Sequence, residues 1–86
     1  MLDKIKQLNQ LRALHKEMQQ QKFTLERDGV SVTVNGSLTI ESVTLSDTLD
    51  RERQQQLVAQ LINDALRQAQ QGMAQKMQGL GLGLGL

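Results

Sequence analysis

Cysteine, tryptophan, tyrosine and proline are all absent from the 86-residue sequence, and Phe23 is its only aromatic residue. Without cysteine there is no disulfide framework and no tetrahedral Cys/His metal site. Without aromatics there is no platform on which bases could stack. His15 is the only histidine, so neither a Ser-His-Asp triad nor a His-based metal centre has enough partners to form. No apolar run approaches the ~20 residues of a membrane span, and Asp3, Lys4, Lys6 and Gln7 interrupt what a secretory signal would need as an unbroken apolar stretch. A soluble cytoplasmic protein is therefore expected, with no membrane partner.

Charge of one sign is also lacking, since ten Lys+Arg face nine Asp+Glu for a net charge of +1. The balance conceals an uneven distribution. Residues 1–27 hold six basic and three acidic groups, residues 28–50 hold four acidic and no basic groups, and residues 51–86 hold four basic and two acidic groups. Both basic flanks are glutamine-rich, while the acidic middle is rich in Val, Thr and Ser. Helix propensity thus favours the flanks and strand propensity the middle. A chain of this size buries only about 60% of its unfolded surface, so association is expected.

Leu2, Ile5, Leu8, Leu11, Leu14 and Met18 recur without Gly or Pro before Gly29, the pattern of a first helix of about five turns or more. A spacing of three falls ~60° short of a full turn at each step. The stripe therefore winds around the helix, and the start of the helix must face something other than what its end touches. Arg12, Lys16 and Gln19 lie opposite Leu14 and Met18.

In the middle segment, a two-residue turn at Asp28-Gly29 sets Leu25 opposite Val32 and Phe23 opposite Val34, with all apolar groups on one face. A three-residue loop Asn35-Gly36-Ser37 sets Val34 opposite Leu38 and Val32 opposite Ile40. Val43 and Leu45 then have the wrong parity unless a bulge lies near Glu41-Ser42. The polar face carries Thr24, Glu26, Ser31, Thr33 and Thr39. Ser46-Asp47-Thr48 and Asp50 offer caps for a long last helix, whose apolar arc includes Leu57, Val58, Leu61, Ile62, Ala65, Leu66, Ala69 and Met73. Gly72 weakens that helix, and the Gly-Leu alternation from Gly79 to Leu86 has too much backbone freedom to specify structure.

The expected architecture is α+β: an N-terminal helix, a three-stranded antiparallel meander and a long C-terminal helix in one domain over residues 1–78, followed by a disordered Gly-Leu tail over 79–86. Little chemistry is available to it. Asp28 reads as a turn residue and Asp47 and Asp50 as caps, so no paired carboxylates remain for acid/base work. No strand-loop-helix phosphate cradle accompanies the glycines. No catalytic residue, metal, cofactor or small-molecule substrate is expected, and an enzyme is not. His15 reads as a partly exposed residue beside the basic face.

The order of elements, with Val32-Thr33-Val34-Asn35-Gly36 in the central hairpin, Val43-Thr44-Leu45 ending the third strand and Leu61-Ile62-Asn63-Asp64-Ala65 in the last helix, resembles the YbaB/EbfC family of nucleoid-associated proteins. The likeness spans roughly residues 1 to 78. It departs at Ser46-Asp47, where the family commonly has Asp-Pro. The resemblance implies a cytoplasmic, nucleoid-associated homodimer whose helices project from a central sheet like tweezer arms. Such a dimer would bind double-stranded DNA with limited sequence preference, shaping the nucleoid or affecting transcription. On the residues themselves, Ala65 reads as the point where the helix approaches its neighbour closely.

Lys4, Lys6, Arg12, Lys16 and Lys22, assigned to the first helix, and Arg53 and Arg67 of the last are the candidate phosphate contacts. Duplication of basic helix faces in a dimer would let them span several phosphates despite the small net charge. The alternative is a protein-interaction or assembly adaptor that uses the Gln-rich helices and the tail, with no direct DNA role.

Overall fold

A computed structural model describes residues 2–79, with the backbone alone for Leu2 and Met77. Helix α1 (Leu2–Gln20) leads into strands β1 (Lys22–Arg27), β2 (Val30–Asn35) and β3 (Ile40–Thr44), and helix α2 (Arg51–Gly79) closes the fold. The sheet is an antiparallel meander in the order β1-β2-β3. This is the expected α+β arrangement. Helix α2 runs one residue into the segment assigned to the tail, and residues 80–86 lie outside the described residues.

The first hairpin has the expected register, with Phe23 opposite Val34 and Leu25 opposite Val32. Asp28 and Gly29 both adopt positive φ, 53° and 86°, as a type I′ turn requires of its two central residues. On the polar face the Thr24 and Thr33 hydroxyls meet across the strands at 2.8 Å.

The second connection corrects the expected three-residue loop. Val34 pairs with Ile40 rather than Leu38, and Val32 pairs with Val43 rather than Ile40. Thr39 consequently lies in the loop and not on the polar face of a strand. The cause is the Asn35 side chain, whose Oδ1 accepts from the backbone N–H groups of Ser37 (2.8 Å) and Thr39 (3.2 Å). That cradle holds a wider loop than backbone pairing alone would select. The register shifts between Thr33 and Val34, where Glu41 is the extra residue on β3. The bulge is thus at the expected place, and it returns Ile40 and Val43 to the valine face.

Val30, Val32 and Val34 are fully buried beneath Leu57, Leu61, Ala65 and Ala69 of α2. The two alanines on this arc let the helix axis approach the sheet, as read for Ala65. Asp50 caps α2, accepting from the Arg53 N–H at 2.7 Å; Asp47, also expected to cap, makes no such bond, and Ser46 forms a local turn with Thr48 instead. Helix α1 is held at its last turn. The Met18 carbonyl accepts from Gly36 N–H (2.9 Å), and a Cβ at Gly36 would stand 2.6 Å from that oxygen and 2.7 Å from Met73 Sδ. Only glycine fits where helix, loop and α2 converge.

Candidate nucleic-acid interface

Residues 3–13 of α1 are exposed on every side. At about 100° per residue, Lys4, Arg12 and Lys16 fall within one arc of about 120°, and Lys6 lies further round. Among the described residues none of these four cations has a carboxylate within ion-pair distance. His15 is exposed beside them, its Nε2 3.2 Å from Gln19 Nε2. Glu17, on the other side of α1, reaches Lys76 of α2 at 2.6 Å, which fixes the helix end and keeps its acid away from the basic arc.

The other three candidates occupy different surroundings. Lys22 is the first residue of β1 and not part of the first helix; its ammonium is paired with Glu41. The hydrogen bond from Lys22, and a second from Asn35 Nδ2 at 3.0 Å, hold the Glu41 carboxyl below its ordinary value. Arg53 faces Asp28 at 3.7 Å, at the end of the sheet remote from the α1 junction. Arg67 faces Asp64 one turn away at 3.4 Å. The structure therefore sets Lys4, Arg12 and Lys16 on one arc of α1, with Lys6 outside it, and leaves Arg53 and Arg67 on α2, each beside a carboxylate. A count of basic residues does not show ion pairing: the partners of Lys22 and Arg53 come from another strand and a turn, and that of Arg67 from the same helix.

A second surface escaped the sequence reading. Ile40, Val43 and Leu45 share the face that α2 covers over β1 and β2, yet they remain 44%, 40% and 57% exposed because the helix does not extend over β3. Between Leu45 and α2 lies an open groove of about 540 Å³, lined by Leu45 with Val58, Ala59 and Ile62 and by the polar Arg51, Gln54 and Gln55. The slip in apolar parity at Val43 and Leu45 was the available signal. It marked a strand with an apolar face but could not show that the helix stops short of it.

Among the described residues, no group of three or more His, Cys, Asp or Glu side chains is placed to hold a metal ion. No described helix is long and apolar enough to cross a membrane. The first helix, the meander and the long second helix define a small α+β protein with a basic helix surface. The YbaB/EbfC DNA-binding family model matches residues 1–84, and the chain belongs to that family. DNA binding and association with the nucleoid come with that membership. No solved structure matches the chain.

Proposed function

We propose that the protein acts in the cytoplasm as a homodimer that grips duplex DNA mainly through backbone phosphates, with limited sequence preference, and so organises the nucleoid and affects expression of the genes it covers. It works by binding and not by catalysis. The observation that carries this reading is the basic arc of α1, where Lys4, Arg12 and Lys16 stand exposed without a carboxylate partner among the described residues. Lys6 adds to their field. Lys22, Arg53 and Arg67 each share their charge with a carboxylate, so they contribute less.

Dimerisation is supported by the uncovered apolar side of β3 and the groove beside α2. A second copy seated there would remove that surface from water and present two α1 arcs to one duplex. Two arcs of three cations supply six contacts, enough for affinity to fall roughly 10³-fold or more between 50 and 200 mM salt. An adaptor binding through apolar surface would show little salt dependence.

The deciding experiment is titration of a random-sequence duplex at several salt concentrations, with the mass of the protein measured alongside. Replacing Arg12 and Lys16 by alanine lowers the salt slope by about 0.9 per lost contact and weakens binding to all sequences alike. An unchanged slope would remove that face from the interface.

A further inference from the structure

The basic arc of α1 is not uniformly polar. Ile5 is 56% and Leu8 47% exposed, and at about 100° per residue both point between Lys4 and Lys16, while Asp3 and Glu17 fall on the opposite side. The helix therefore shows a narrow apolar strip bordered by cations and faced by no acid.

A seam for another helix would repeat every 3.5 residues. Here the spacing of three spreads the exposed Ile5, Leu8 and Leu11 over about 120° and carries Leu14 about 60° further round, so the apolar line winds off the face that a straight partner helix would need. Charge complementarity selects a polyanion with apolar features between its charges. The major groove of B-DNA fits both requirements. It is about 12 Å wide and admits a helix of about 10–12 Å diameter, phosphates border it, and the thymine C5-methyl is the apolar group on its floor. Because α1 is anchored only near Met18 and Glu17, its first turns are free to enter.

We infer that α1 lies in the major groove with Ile5 and Leu8 against thymine methyl groups, while Lys4, Arg12 and Lys16 hold the flanking phosphates. This rests on the DNA-binding reading above and adds to it a groove and a source of base preference that phosphate contacts alone cannot supply.

The test uses the whole protein and two duplexes of the same sequence, one with thymine and one with deoxyuridine at every thymine position, which removes only the methyl groups. The wild-type protein binds the uracil duplex about fourfold more weakly for each methyl contacted, the fold-change expected from about 0.8 kcal/mol per buried methyl-sized group, with the salt slope unchanged. The Ile5→Ala, Leu8→Ala double variant binds both duplexes equally. Because both side chains are about half exposed, the substitution leaves the core intact, and circular dichroism checks the helix content. The Lys4→Gln, Lys16→Gln variant lowers the salt slope but retains the thymine-to-uracil ratio. Equal wild-type binding to the two duplexes overturns the inference, as does a methyl preference that survives in the double variant. A changed solution mass in that variant overturns it in favour of a contact between copies. Absence of wild-type binding to either duplex at low salt would instead remove the underlying DNA-binding reading.

Discussion

Asn35 holds more of this fold than any other polar side chain. It is 6% exposed, and it accepts from two loop N–H groups while donating to Glu41. Replacement by alanine leaves those groups without partners, and a loss of about 1.5 kcal/mol is expected, read as a lower urea midpoint at constant m. Ser37, two residues on, makes the contrast. Its Oγ is buried without a hydrogen-bond partner among the described residues, so Ser37→Ala is expected to leave stability unchanged or slightly raised. Glu41 adds a pH dependence to the same loop. Its carboxyl is held below the ordinary value of 4.5, first by the hydrogen bond from Lys22 and then by that from Asn35. A depressed carboxyl stabilises the fold above its unfolded value and ceases to do so as pH falls through the folded value. The stability difference between wild type and Glu41→Gln should accordingly be constant above about pH 5.5 and shrink on acidification below the ordinary carboxyl range. A difference that grew on acidification would reverse the assigned direction.

Between elements, the contact of β1 with α2 turns on a glycine. A Cβ on Gly72 would lie 2.8 Å from Phe23 Cε1 and 3.0 Å from Cζ, so the only aromatic ring occupies the space that the missing side chain leaves. Glycine inside a helix costs about 1 kcal/mol relative to alanine. In a Phe23→Ala background, Gly72→Ala should recover about that amount, whereas with the ring present the gain is cancelled or reversed. A double-mutant cycle by urea unfolding measures the difference, and additivity would show that the ring gives way freely. From sequence, Gly72 was legible as a weak point but not as a packing site, because the ring comes from a strand about fifty residues earlier. The same distinction runs through the fold. The Asp28-Gly29 turn was legible with its register because two adjacent residues determine it. The second loop was not, since its width depends on the Asn35 cradle and on Gly36 docking against Met18 and Met73. The α1 cations were legible as a group, whereas the carboxylates facing Lys22 and Arg53 come from the folded arrangement; Asp64, three residues from Arg67 on the same helix, was there in the spacing.

For the whole molecule, a long helix over two strands of a three-stranded sheet leaves an apolar margin that one copy cannot cover. Leu45 sits on that margin at the wall of the groove, 57% exposed and outside any strand. In an isolated protomer Leu45→Asp should be nearly neutral, because an exposed position away from the core usually changes stability by no more than about 0.5 kcal/mol. In a dimer formed through this face the same aspartate would be carried into a contact whose groove lining is uncharged apart from Arg51, and dissociation costs less than burial. The expected outcome is a halved solution mass at micromolar concentration with helix content retained. DNA binding then reports on the same change. A single protomer offers one α1 arc instead of two, so the dependence of log affinity on log salt should fall to about half its wild-type slope. Loss of Arg12 and Lys16 also lowers that slope but leaves the mass of the dimer intact. The two variants together therefore separate how the phosphate contacts are made from how they are doubled. A Leu45→Asp protein that keeps both its mass and its slope would place the copy-to-copy contact elsewhere on the molecule.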